Sequence, residues 1–171
     1  MSDPIQTVPS YGYGSTVTTL EERNKVLRNT YWLLALSLVP TVLGAWLGMK
    51  NGTGVVMTAF GGTAAIFFVM ATLSSVIKRD LSGMGKWLFV GALVVLVGGI
   101  INVFVGSTTG MLVISVLAIG IFSAYMLWDV KQIVDGGETN YLTATLALYL
   151  DAFNVFQSLL ALLGIFGGER E

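Results

Sequence analysis

The stretch LTATLALYLDAFNVFQSLLALLGIF, residues 142–166, decides the fold class. It is long enough to cross a bilayer as a helix, since a membrane span needs about 20 mostly apolar residues. Its tenth residue, however, is Asp151. An ionised side chain at the bilayer centre costs about 2.5 to 3.5 kcal/mol on insertion scales. Asp151 therefore requires a cation partner, a proton or a water-filled cavity.

The composition of the whole chain is that of a membrane protein. Of its 171 residues, 54% are hydrophobic and 11% are charged, and the mean hydropathy is +0.78. We predict an all-α integral membrane protein, a bundle of about five transmembrane helices, preceded by a flexible cytoplasmic tail at residues 1–18. Residues 19–171 form the transmembrane domain, with spans at 31–49, 54–77, 87–105, 111–134 and 141–166.

The Lys and Arg residues predict the orientation. With the N-terminus inside, seven of them lie on the inner side and two, Lys50 and Arg170, on the outer side. This bias follows the positive-inside rule and predicts a multi-pass protein of the inner (cell) membrane, with a cytoplasmic N-terminus and an external C-terminus. The inner residues are Arg23, Lys25, Arg28, Lys78, Arg79, Lys86 and Lys131.

Missing residue types exclude several classes of function. The chain has no cysteine and no histidine, so thiol chemistry, disulfides and the commonest general base are absent, and proton chemistry falls to carboxylates. A net charge of −1 gives no basic field for nucleic acid. We expect no cofactor, and the sequence does not decide whether a metal binds.

Two aspartates, Asp129 and Asp151, lie within apolar runs. Residues three, four or seven apart share a helical face, which predicts that each aspartate belongs to a polar stripe turned into the bundle. The two stripes are able to face each other. The supporting residues are Tyr125 and Gln132 beside Asp129, and Asn154 and Ser158 beside Asp151.

The connection between the last two spans sets the depths of these aspartates. We predict that glycines at Gly136 and Gly137 end one helix and that Asn140 caps the next. The axial depths of Asp129 and Asp151 are then about 10 and 16 Å from the turn, a mismatch that tilt and side-chain reach can close. Two alternatives to a functional aspartate pair stay open. In one, Asp129 is a hydrated charge at a helix end. In the other, Asp151 is a structural carboxylate held by Asn154 or a tyrosine hydroxyl.

Clustered small residues in three spans indicate close helix packing, because small side chains let backbones approach in lipid. Ligand lining is the alternative interpretation. The clusters are Gly44 and Gly48 in the first span, Gly61, Gly62, Ala64 and Ala65 in the second, and Gly98 and Gly99 in the third.

Three segments closely resemble one family. They are LWDVKQIVDGGETNYLTATLALYLDAFNVFQSLLALLG at 127–164, KRDLSGMGKWLFVGALVVLVGGIINVF at 78–104 and VLRNTYWLLALSL at 26–38. They are similar to the Bax inhibitor family in its bacterial, YccA-like branch, and cover most of the chain beyond residue 24. The GGETNY turn followed by LYLD is the most specific part of the resemblance.

The resemblance implies two functions for this chain. The first is a proton-sensitive latch, formed by facing aspartates that match Asp129 and Asp151, which governs a leak of calcium or other cations. The alternative is a regulatory membrane protein, because relatives are linked to suppression of cell death and to modulation of a membrane-bound AAA protease.

The chain departs from the family pattern of seven spans. The second and third spans of the family are expected to be absent. The end of the first span, AWLGMKNGTG, is followed directly by a segment that resembles the family's fourth span, VVMTAFGGTAAIFFVMATLSSVIKRD. In some relatives a basic residue of the second span pairs with the aspartates, and no Lys or Arg lies deep in a span here. The absence of such a cation favours a proton shared between Asp129 and Asp151. Self-association through the glycine-rich first and second spans would cover the exposed faces and make a homo-oligomer.

An enzymatic alternative is disfavoured by motif. Two membrane aspartates on successive spans also serve intramembrane aspartyl proteases, where one carboxyl is protonated and the other activates water. That class carries Gly-x-Gly-Asp before its second aspartate and a later Pro-Ala-Leu, whereas Asp151 follows Leu-Tyr-Leu and no such tripeptide occurs. We therefore expect no enzymatic activity.

Overall fold

The computed structural model describes residues 20–49 and 54–168. At residues 37, 40–49 and 168 it describes the backbone alone. The predicted tail at residues 1–18 lies outside them. The described residues form five α-helices and no strand, which confirms the all-α prediction. The helices are α1 (Leu20–Met49), α2 (Gly54–Val76), α3 (Met84–Val105), α4 (Thr108–Asp135) and α5 (Tyr141–Gly168).

Each predicted span lies within one of these helices, apart from one residue at the end of α2. Among the described residues, α2 to α5 are long and apolar enough to cross a membrane. The observed α1, α3 and α4 begin earlier than the predicted spans, because polar residues continue the helix beyond the apolar run. At the start of α4, for example, the Ser107 hydroxyl accepts a hydrogen bond from the Gly110 N–H at 3.0 Å, which caps the helix.

The centre of the bundle is α4, which contacts all four other helices. Its largest interface is with α5, whereas α3 packs on α4 alone within the described ranges. A buried apolar cluster joins α1, α4 and α5, so the last hairpin is anchored by the first helix. The buried members of this cluster are Val26, Leu34, Val130, Ile133, Ala144 and Leu148.

Glycines allow α3 to approach α4 closely. A Cβ added at Gly85 would lie 2.8 Å from the Trp128 ring, and one at Gly91 would lie 3.0 Å from Cδ1 of Ile121. The packing interpretation also suits Gly62, where an added Cβ would lie 3.2 Å from Leu159, whereas one at Gly98 would make ordinary contact with Ile114 at 3.6 Å. An added Cβ at Gly61 or Gly99 would meet nothing within 4 Å, so helix packing does not account for those two glycines.

Substitution at Gly91 is expected to weaken the α3–α4 interface. Gly91→Val places two methyl groups against Ile121, and overpacking of this kind should lower the free energy of unfolding by about 1 kcal/mol or more. Gly99→Val is the matched control on the same helix, because it has the same helix propensity and open space around it. Thermal unfolding midpoints in detergent test this, and equal losses in the two variants would contradict it.

Candidate functional site

A tight turn brings α4 and α5 side by side. Gly136 adopts a left-handed conformation with φ of +81° at the end of α4, and the N–H of Gly137 donates to the Gln132 carbonyl at 2.8 Å. On the other side of the turn, Oδ1 of Asn140 accepts from the Leu142 N–H at 3.0 Å. The predicted glycine stop and Asn140 cap are therefore confirmed.

The hairpin brings the carboxyl groups of Asp129 and Asp151 within hydrogen-bonding reach of each other. The predicted depth mismatch is thus closed by the side chains. Asp151 is only 6% exposed, and no donor in the described part of the chain reaches its buried Oδ2 atom. Since ionised carboxylates are acceptors only, a hydrogen bond between these groups requires a proton on one of them.

Tyr125 and Gln132 flank the pair on α4. Tyr125 lies near both carboxyl groups, and its ring stacks on Phe122 with centroids 6.0 Å apart and meets Trp128 edge-on at 6.4 Å. Gln132 and Asp129 line a polar cavity of about 140 Å³ on the side of the α4–α5 turn. A cavity of this size has room for water molecules, so Asp129 has a route for proton exchange.

The predicted residues of α5 make other contacts. The Asn154 amide donates to the Leu150 carbonyl at 2.8 Å, a bond within its own helix. Ser158 lies two turns further along the helix, about 10 Å from Asp151. It lines a separate cavity of about 460 Å³ with Asn102 of α3. The supporting role of Asn154 and Ser158 beside Asp151 stays a prediction.

The charged groups around the pair are acidic. In the part of the chain that the structure describes, the electrostatic neighbours of Asp129 and Asp151 are each other, Tyr125 and Glu138. Lys131 is buried two residues from Asp129, but its ammonium group contacts Oδ1 of Asp135 at 2.7 Å. It is therefore engaged elsewhere. Within the same residues, no group of three acidic side chains is placed to hold a metal ion.

Glu138 is a further residue of the site that was not predicted from the sequence. This residue lines the small cavity together with Asp129 and Gln132, and its charge acts on Asp129. Its Oε1 atom accepts from the Asn140 N–H at 2.7 Å, which fixes the side chain at the turn. The available signal was its position two residues after Gly136, because a left-handed turn folds such a residue back toward the preceding helix.

Comparison with known proteins identifies the family. Residues 47–168 match the family described as "Inhibitor of apoptosis-promoting Bax1". The chain belongs to the Bax inhibitor family. A "Modulator of FtsH protease YccA" of Escherichia coli K12 is 38% identical over 123 residues, which cover 72% of this chain and 56% of that protein. A Helicobacter pylori J99 protein is 39% identical over 142 residues, 81% of this chain and 62% of its own length. The chain thus spans less than two thirds of either relative.

A third relative aligns over a length greater than that of this chain. An uncharacterized membrane protein of Vibrio cholerae is 30% identical over 215 positions, which take in 92% of this chain and 96% of that relative. Roughly 60 positions of the alignment therefore have no counterpart here, about the length of two membrane spans with their connections. The absence of the second and third spans stays a prediction, because the aligned length does not locate these positions.

Proposed function

We propose that this Bax inhibitor family protein is a pH-sensitive leak for calcium or other cations, gated by Asp129 and Asp151. The observation that carries the proposal is the contact between the two carboxyl groups at the interface of α4 and α5. A proton shared by the pair holds the two helices together, and its loss weakens the contact. The pair acts by binding a proton, so the proposed role is not enzymatic and needs no cofactor.

The direction of the pH response follows from the charges. At low pH one carboxyl donates to the other, and the contact is kept. As pH rises the shared proton leaves, and the two carboxylates repel each other; a pair of unit charges at about 4 Å and an effective dielectric constant of about 20 repels by about 4 kcal/mol. Glu138 adds further negative charge, and Lys131 is held by Asp135. We therefore expect the gate to open, and cation flux to rise, with increasing pH.

The orientation of the chain determines which compartment sets this response. In the orientation proposed from the Lys and Arg distribution, with the N-terminus cytoplasmic and the C-terminus external, the α4–α5 turn lies on the cytoplasmic side. The cavity beside Asp129 then exchanges protons with the cytoplasm. Self-association in the membrane would place several such gates in one assembly.

Flux from proteoliposomes tests the gate. The purified chain is reconstituted with a calcium or potassium indicator inside the vesicles, and flux is measured over a series of pH values on both sides of the membrane. We expect flux to increase as pH rises. A flux equal to that of protein-free vesicles at every pH, or one that does not vary with pH, would contradict the proposal.

A second candidate function is regulation of a membrane-bound AAA protease. It is favoured by the similarity to the relative named as a modulator of the FtsH protease. The N-terminal tail would then carry the effect. Deleting residues 2–18 should abolish modulation of proteolysis in cells, whereas Asp129→Asn and Asp151→Asn should retain it. If the deletion retains modulation and the aspartate variants abolish it, the regulation depends on the aspartate pair instead.

A further inference from the structure

An apolar groove shares no lining residue with the polar cavity beside Asp129. It is enclosed by α1, α2 and α5 and has a volume of about 670 Å³, within the range of small-ligand sites. Along α2 it extends from Phe60 to Val76, a length of about 24 Å at the helical rise. The hydrocarbon layer of one leaflet is about 15 Å thick, half of the bilayer core. The groove is therefore long enough for an extended acyl chain.

The interior of the groove is mainly apolar. Its walls are aromatic and aliphatic, with Tyr31 of α1 meeting Phe67 of α2 edge-on at 6.2 Å, and the phenol groups of Tyr31 and Tyr149 are among them. The hydroxyl groups along α2 donate to their own helix. Those of Thr63, Thr72 and Ser75 donate to carbonyls four residues earlier at 2.8, 2.7 and 3.2 Å. The lining therefore suits an occupant that is mainly hydrocarbon.

Positive charge gathers where the groove ends. Arg28 precedes the lining residue Tyr31 by one turn of α1, and Lys78 and Arg79 lie two and three residues after Val76, the last lining residue of α2. All three cations are exposed. The adjacent Asp80 is occupied locally, because the Ser82 N–H donates to its Oδ1 at 2.8 Å. This hydrogen bond holds the pKa of the Asp80 carboxyl below its ordinary value.

We propose that the groove binds one acyl chain of an anionic phospholipid, with the phosphate group held by Arg28, Lys78 and Arg79. Hydrocarbon walls and a cationic end match the two parts of such a lipid, and the bilayer supplies it. Basic residues at the membrane surface attract anionic headgroups. This site is independent of the aspartate pair, so it does not rest on the proposed leak.

Titration followed by native mass spectrometry tests the site. The full chain in detergent is titrated with phosphatidylglycerol or with phosphatidylcholine of the same acyl chains. We expect one phosphatidylglycerol to be retained, with an affinity about tenfold or more above that for phosphatidylcholine. Equal affinity for the two lipids would overturn the proposal, as would a lipid-free dimer that excludes phosphatidylglycerol, because a second copy would then occupy the groove.

Two neighbouring alanines provide matched variants. Ala64 lines the groove, and Ala64→Leu should weaken phosphatidylglycerol binding at least about tenfold by filling it. Ala65 is exposed on another face of α2, so Ala65→Leu should bind as the unmodified chain does. Equal binding by both variants would overturn the site. If Ala64→Leu fails to fold, the double variant Lys78→Gln, Arg79→Gln decides, since it should bind the two lipids alike, and a retained preference would contradict the cationic end.

Discussion

The double variant Asp129→Asn, Asp151→Asn is expected to lose the pH response of cation flux while it stays folded. An amide both donates and accepts hydrogen bonds, so two asparagines keep the contact between α4 and α5 without a proton that can leave. In the unmodified chain, one proton linked to the gate changes the open fraction by up to about tenfold per pH unit. The double variant should instead show a low, constant flux between about pH 5 and pH 8.

The two single variants and an exposed carboxylate complete this experiment. In Asp129→Asn or Asp151→Asn an amide donates to the remaining carboxylate, so each single variant should also keep the contact as pH rises. Asp80→Asn removes a carboxylate from the exposed α2–α3 connection and should retain the full pH response. If all variants share the pH profile of the unmodified chain, the aspartate pair is not the gate.

Opposite effects on stability are expected from the two ends of the Lys131–Asp135 ion pair. The Lys131 side chain is 8% exposed and that of Asp135 is 44% exposed. Asp135→Ala leaves a buried ammonium group without its acceptor and should lower the free energy of unfolding by about 2 kcal/mol, below the range for fully buried pairs. Lys131→Met removes the buried charge and keeps the packing volume, so it should be neutral or stabilising.

Thermal unfolding in detergent distinguishes the two substitutions. Asp135→Asn serves as the control, because its amide oxygen still accepts from the Lys131 ammonium group and should restore part of the lost stability. Similar losses for Asp135→Ala and Lys131→Met would show that the ion pair itself, rather than the burial of one charge, stabilises this end of α4.

The last hairpin was predictable from the sequence because local chemistry determines it. A glycine at the end of α4 and an asparagine before α5 fix the turn through backbone conformation and a single capping bond. Once the turn is fixed, α4 and α5 lie side by side, and two carboxylates at similar distances from the turn lie at similar depths. Turn chemistry and helical rise therefore allowed a contact between Asp129 and Asp151, and the family resemblance implied that the two residues face each other.

Other contacts of the site depend on how deep a residue lies along its helix and on whether its side chain bonds within that helix. Helical periodicity predicts neither. Asn154 lies on the predicted face, but its amide bonds to its own helix. Lys131 is near Asp129 in the sequence and pairs with Asp135 instead. The groove on α2 was also missed, because its shape depends on how three helices splay apart, and no pattern within one helix records that angle.

Within the described residues α3 attaches to α4 alone, which bears on where the bundle can move. A helix with one neighbour can tilt without displacing α1, α2 or α5, since it shares no interface with them. The aspartate-bearing hairpin, by contrast, packs on α1 and α2 as well. Any movement of α4 against α5 must therefore also involve those two helices.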